Sequence, residues 1–145
     1  MAQGVTIAGT GSYLPEKILT NDDLSKFVET SDEWIVTRTG IKERRIAGEG
    51  ESTSHLGSKA GQKALEQAGI AAEDLDLIIV ATITPDTLTP ATACYVQQQL
   101  GATKAVAFDI SAACSGFLYA MKIAKRMIES GAFHNALIIG AEKLS

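Results

Sequence analysis

Apolar residues recur along this chain with two different periods, and each change of period marks an element. Residues 5–10, Val-Thr-Ile-Ala-Gly-Thr, are β-branched and apolar and are closed by Gly11 and Pro15, which predicts a first strand and a turn. Two polar helix-start signals follow, Thr20-Asn21-Asp22-Asp23 and Ser31-Asp32-Glu33. Each sets side-chain oxygens where the free N–H groups of a first helical turn need acceptors. They predict two short helices ending near Val28 and Thr39, the second stopped by Gly40. Ser52-Thr53-Ser54 begins a longer amphipathic helix, with Leu56, Ala60, Ala64, Leu65 and Ala68 at helical spacing and Gly69 as its stop.

Beyond Gly69 the pattern alternates: a strand over 75–82, a helix over 91–100 ended by Gly101, a strand over 105–110, a helix over 115–128 ended by Gly131, and a strand over 136–141. Near-continuous apolar strands separated by amphipathic helices predict an α/β fold whose parallel sheet is covered on both faces. On the last helix Phe117, Leu118, Met121, Ala124, Met127 and Ile128 share one side, the expected core face. Glu142-Lys143-Leu144-Ser145 follow the final strand with no covering helix, so the pattern reads as one domain or part of one.

Composition narrows the function classes. Of 145 residues, 46% are apolar and 21% charged, as in a soluble globular chain, and the net charge of −4 argues against a general nucleic-acid binder. Runs free of polar side chains such as 77–81 are far short of the roughly 18 residues that span a membrane. The first basic residue is Lys17, so no secretory signal is present and a cytoplasmic protein without a membrane partner is expected. Two cysteines do not make a disulfide scaffold, which leaves thiol chemistry.

The stretch Asp109-Ile110-Ser111-Ala112-Ala113-Cys114-Ser115-Gly116-Phe117-Leu118 puts one Cys between a buried strand and an amphipathic helix. A thiol there meets the positive end of the backbone dipole and free N–H donors, which favour the nucleophilic thiolate. Its small neighbours let a substrate approach, and the Cys114 amide is placed to donate to an oxyanion. The alternative is a small buried hydrophobe. Cys94, among Thr92, Ala93 and Tyr95, reads as structural.

A second stretch, residues 30–45, holds the sole Trp and a local basic cluster of Arg38, Lys42, Arg44 and Arg45 in an acidic chain. An aromatic face beside guanidinium groups suits a nucleotide with phosphates, or an acidic partner protein. Alternatively Trp34 packs as core beside a solvated basic edge. Gly9-Thr10-Gly11 lacks the third glycine of a dinucleotide loop. His55 and His134 read as a helix-start and a loop residue, and no metal-ligand spacing or Walker loop occurs.

Together these blocks resemble the amino-terminal half of the β-ketoacyl-acyl-carrier-protein synthase III family. The resemblance runs from residues 7–15 through 30–45 and Ala81-Thr82 to 107–117. It implies a thiolase-like fold: two similar α/β halves, each with a mixed five-stranded sheet, stacked as αβαβα layers, with residues 1–145 as the first half. It implies that Cys114 is the catalytic nucleophile and takes the acyl group from acetyl-CoA or another short acyl-CoA. Trp34 would stack on the CoA adenine with Thr30 and Arg38 nearby.

Condensation with malonyl-acyl-carrier protein would then release CO2 and start fatty-acid synthesis. No permanently bound cofactor or metal is implied; the CoA thioester is a substrate. Thr89 aligns with a position that reaches across a homodimer interface to the partner's acyl pocket, and its small size suggests primers longer or more branched than acetyl. The family's catalytic His and Asn fall in a complementary carboxy-terminal half. The competing readings are a condensing enzyme of secondary metabolism and a non-catalytic half that binds CoA or acyl-carrier protein.

Overall fold

A computed structural model describes residues 4–145. In chain order the elements are β1 (Lys17–Thr20), α1 (Asn21–Leu24), α2 (Asp32–Thr39), β2 (Glu43–Ile46), α3 (Thr53–Ala68), β3 (Leu77–Ala81), α4 (Thr92–Leu100), β4 (Val106–Ile110), α5 (Gly116–Glu129) and β5 (Ala136–Gly140). They divide into two units, Met1–Tyr13 with Ser52–Leu144, and Leu14–Glu51 with Ser145.

The larger unit is a parallel sheet of order β4-β3-β5. β3 is central, with Leu77 opposite Val106 on one side and Ala136 on the other. Every residue of β3 is buried, and alternation divides them between two faces. Leu77 and Ile79 pack against Ala120 and Ala124 of α5. Ile78 and Val80 pack with Leu65 of α3 and with Ala93 and Val96 of α4. The helix stops read from the sequence are in place: Gly69 and Gly101 cap α3 and α4 in the left-handed conformation, at φ 66° and 77°.

Two expectations for this unit are corrected. The core face of α5 is Gly116, Ala120 and Ala124, whereas Phe117, Leu118 and Tyr119 are exposed. Small side chains let the helix approach the sheet closely: a Cβ on Gly116 would lie 3.1 Å from the Cβ of Ala81. The second correction concerns the sheet. Residues 5–10 form no ladder, and the strands among the described residues make a three-stranded parallel sheet and a separate two-stranded one.

Gly9 and Gly11 instead lie against α3, where a Cβ on Gly9 would sit 2.5 Å from the Ala64 carbonyl oxygen and 2.8 Å from the Ala68 nitrogen. Among the described residues β5 pairs with β3 alone. Between its open edge and residues 4–11 runs a cleft of about 1030 Å³, lined by Ile7, Ala64, Leu118, Met121, Leu137 and Ile138 among others.

In the smaller unit β1 and β2 pair antiparallel, Lys17 opposite Ile46 and Thr20 opposite Glu43. α2 begins and ends as expected, with Ser31 accepting from the Trp34 N–H and Gly40 at φ 73°. α1 is shorter than expected, stopping at Leu24 rather than near Val28. Phe27 and Val28 are exposed and supply no buried face to extend it.

Asn21, 1% exposed, ties the unit together. Its amide nitrogen donates to the Asp32 carboxylate and the Ile41 carbonyl, both at 2.8 Å, and its oxygen accepts from Arg44 at 2.7 Å. Thr20 and Asp23 form a reciprocal capping box on α1. The Lys26 ammonium, then the Thr20 hydroxyl and amide, hold the Asp23 carboxyl down to about 2.

Candidate active site

The nucleophile turn is built from the end of β4. Asp109, the penultimate residue of β4, is a lone carboxylate in an apolar strand, and both its oxygens are engaged, accepting from the N–H of Thr92 at 2.7 Å and of Ala93 at 2.8 Å. The chain leaves the strand through Ser111 and Ala112 into a single 3₁₀ turn, Ala113–Ser115, that runs straight into α5. Ala113 has φ 44°. A side chain in that left-handed region costs about 1–2 kcal/mol, a strain that strand–turn–helix elbows tolerate where they present a nucleophile.

Cys114 sits at the crest of this turn and is exposed. The hydrogen bonds of the turn run from the Ser115 N–H to Ala112 and from the Gly116 N–H to Ala113. The Cys114 N–H is not among these bonds. The turn stands at the carboxyl ends of parallel strands, the edge at which open α/β sheets hold their ligands.

Thr89 belongs to the same unit. It is exposed on the 82–91 loop that leaves the carboxyl end of β3. Three carboxylates anchor that loop. Glu142 accepts from the hydroxyls of Thr82 and Thr84 and from the Ile83 N–H. Asp86 accepts from the N–H and hydroxyl of Ser54 at the start of α3, and Asp109 holds the first residues of α4. Sequence patterns assign these carboxylates no role, although a charge inside the apolar strand Val-Ala-Phe-Asp-Ile is itself a signal that a partner waits.

Trp34, Arg38 and Thr30 belong to the smaller unit. Trp34 is 53% exposed, while its neighbour Ile35 is the buried residue of α2. The Arg38 guanidinium lies 4.5 Å from the Trp34 ring centroid, one helical turn away. The pair presents a flat π-face next to a cation. The rest of the basic cluster is largely committed elsewhere. Arg44 bonds Asn21 and the Leu19 carbonyl, and Arg45 bonds the Pro15 carbonyl and pairs with Glu43 at 3.6 Å. The Thr30 hydroxyl oxygen is buried without a hydrogen-bond partner.

Cys94 is half-buried on α4. His55 lies in the first turn of α3, and His134 precedes β5 with its N–H donating to Asp76. Neither histidine stands on the Cys114 turn.

An exposed thiol on a strained strand–turn–helix elbow, set in an α/β layer, is the arrangement expected of one half of a thiolase-like fold. Comparison with known proteins shows what the chain is similar to. Residues 108–145, which include Cys114, match the model of 3-Oxoacyl-[acyl-carrier-protein (ACP)] synthase III. The chain is 63% identical over 139 residues to the beta-ketoacyl-[acyl-carrier-protein] synthase III of Caldanaerobacter subterraneus subsp. tengcongensis, an alignment covering 96% of this chain and 42% of that protein.

The crystal structure of the 3-oxoacyl-[acyl-carrier-protein] synthase III of Aquifex aeolicus superposes with a TM-score of 0.94 at 58% identity, covering 97% of this chain and 46% of that one. The priming beta-ketosynthase of the R1128 polyketide pathway superposes at 0.92 with 38% identity, covering 95% and 41%. Over the residues it has, the chain is similar to the amino-terminal half of synthase III proteins, and it spans less than half the length of these relatives.

Proposed function

We propose that this chain is the acyl-accepting half of a β-ketoacyl-acyl-carrier-protein synthase III that starts fatty-acid synthesis in the cytoplasm. The observation that carries the reading is Cys114, exposed on its elbow with its own N–H unengaged. The Cys114 thiolate attacks the carbonyl carbon of a short acyl-CoA such as acetyl-CoA; the new S–C bond forms as the CoA thiolate leaves. The Cys114 N–H donates to the oxygen that carries charge in between. Trp34 stacks on the adenine and Arg38 pairs with the phosphates, with Thr30 near the same ligand.

Malonyl-acyl-carrier protein then loses CO2, and the carbanion so formed attacks the acyl-Cys114 carbonyl, making the C–C bond and freeing the thiolate. The His and Asn that support this step belong to a complementary carboxy-terminal half. The cleft beside β5 supports such a partner: one extended strand between β5 and residues 4–11 would complete a five-stranded sheet and cover Val5 and Ile7. In the homodimer Thr89 borders the partner's acyl pocket, and its small side chain leaves room for primers longer or more branched than acetyl.

The R1128 relative supports a second reading, the same cysteine serving another acceptor, but at 38% identity against 58% for the Aquifex protein it is the weaker one. Intact mass spectrometry before and after acetyl-CoA, with peptide mapping, tests the proposal. One acetyl group on Cys114 and none on Cys94 is the expected result. Equal, slow reaction of both thiols would leave only a binding half.

A further inference from the structure

Two strand ends make the floor beneath the Cys114 turn. Ala81 closes β3 and Gly140 closes β5, and the two stand opposite each other in the sheet. The first turn of α5 rests on both. A Cβ on Gly116 would lie 3.1 Å from the Cβ of Ala81, and one on Gly140 would lie 3.3 Å from the ring of Phe117. The approach to the turn is held from the same place, because the Thr82 N–H donates to the Ile110 carbonyl at 3.1 Å. Cys114 therefore stands between an entry bonded to Thr82 and an exit seated on Ala81 and Gly140. Packing this close passes any shift of the floor on to the turn.

The ladder between β3 and β5 ends with the bond from the Ala141 N–H to the Ala81 carbonyl, 3.2 Å. Past that bond the connection passes to side chains. The Glu142 carboxylate accepts from the Thr82 hydroxyl at 3.2 Å, the Ile83 N–H at 2.9 Å and the Thr84 hydroxyl at 2.5 Å. The Thr84 hydroxyl in turn accepts from the Lys143 N–H at 2.9 Å. Glu142 is an exposed residue that water could solvate, yet both its oxygens are committed to the residues that follow β3. Hydrogen bonds to an ionised carboxylate are roughly twice as strong as neutral ones, so three on one group resist any parting of the two strand ends.

We propose that Glu142 is a positioning residue for the Cys114 nucleophile: by clamping the exits of β3 and β5 together it fixes the floor on which the Cys114 turn stands. The inference rests on the acyl-transfer reading above. It concerns the acylation step and not the binding of CoA, whose proposed face lies in the other unit.

The test follows acylation of Cys114 by acetyl-CoA in single turnovers, with the chain assembled with its carboxy-terminal complement. Glu142→Ala should lower the saturating rate about thirtyfold and leave the half-saturating acetyl-CoA concentration within about twofold, because a misplaced nucleophile loses rate and not substrate affinity. Glu142→Gln keeps an acceptor oxygen for the Ile83 N–H and an amide from which the two hydroxyls can accept, and should recover most of the rate. Thr82→Val, close in shape, removes one donor from the other side of the clamp. It should cost about fivefold alone and nothing further when added to Glu142→Ala.

A saturating rate that Glu142→Ala leaves unchanged overturns the proposal, as do losses that add in full in the double variant. A half-saturating concentration that rises in step with the fall in rate also overturns it, since that is the mark of a general structural role. Should Glu142→Ala fail to fold, or Glu142→Gln fail to recover the rate, Thr82→Val alone decides: a slower rate at unchanged half-saturation supports the clamp, and an unchanged rate overturns it. If the unmodified protein is not acylated, the acyl-transfer reading itself fails. Alkylation by iodoacetamide then still tests the clamp, which is overturned if Glu142→Ala leaves the reactivity of Cys114 relative to Cys94 unchanged.

Discussion

Leu77, Ile78, Ile79 and Val80 of the sheet unit are wholly buried, whereas among residues 14–51 only Pro15, Asn21 and Ile35 are buried. One unit is held by apolar layers on both faces of β3, the other by a buried amide and the bonds it makes to α2, to Ile41 and to Arg44. The proposed chemistry follows the same division, with the nucleophile on the apolar scaffold and the nucleotide-binding face on the polar one. A thiol that must be placed to a fraction of an ångström needs a scaffold that does not yield, while a stacking surface tolerates adjustment.

The largest effect that would break this contrast comes from Asn21→Ala. Removing the amide takes one partner each from Asp32, from the Ile41 carbonyl and from Arg44, which keeps the Leu19 carbonyl, and should destabilise the smaller unit by about 3 kcal/mol. Trp34 is the single tryptophan, so its fluorescence reports that unit alone, and its denaturation midpoint should fall while the circular dichroism of the sheet unit holds. Simultaneous loss of both signals would show that the units do not melt separately.

Trp34→Ala should be milder, weakening CoA binding about tenfold, or ~1.4 kcal/mol, with little change in Cys114 acylation at saturating acyl-CoA. Titration calorimetry and acylation rates check the two halves of that statement. Loss of the saturating rate would move Trp34 from binding into chemistry.

The smallest effect is a pH dependence in each unit. In the sheet unit the His134 and Asn135 N–H groups, with the more distant Lys104 charge, hold the Asp76 carboxyl below the usual carboxylate range. In the other, Asp23 is held at about 2. Both folded values are depressed, so each contributes stability that is full above the unfolded value of about 4 and is lost as pH falls through the folded value. Asp76→Asn should flatten the acid limb of the sheet-unit melt and leave the acid dependence of the Trp34 signal unchanged.

The same contrast explains what the sequence disclosed. In the sheet unit, α3 from Ser52 to Gly69, α4 with its Gly101 stop, and β3 to β5 are legible because period and punctuation agree. The face of α5 is not, because bulky apolar residues advertise a core that Gly116, Ala120 and Ala124 actually make by being small. β1 and β2 escape notice because Lys-Ile-Leu-Thr and Glu-Arg-Arg-Ile are four residues each and mostly polar, with no alternation to read. Cys114 and Trp34 are legible as residue types in telling places. The work of Asp109, Asp86 and Glu142 is tertiary, and no local pattern announces it.

The open edge of β5 has a consequence for handling the chain. Ala-Leu-Ile-Ile-Gly carries no charge, proline or bulge, the devices by which exposed strands avoid pairing with strangers. Solubility is therefore governed less by the net charge of −4 than by whether that edge is covered. A chain kept dilute, or mixed early with whatever strand completes the sheet, should remain dispersed where a concentrated one precipitates.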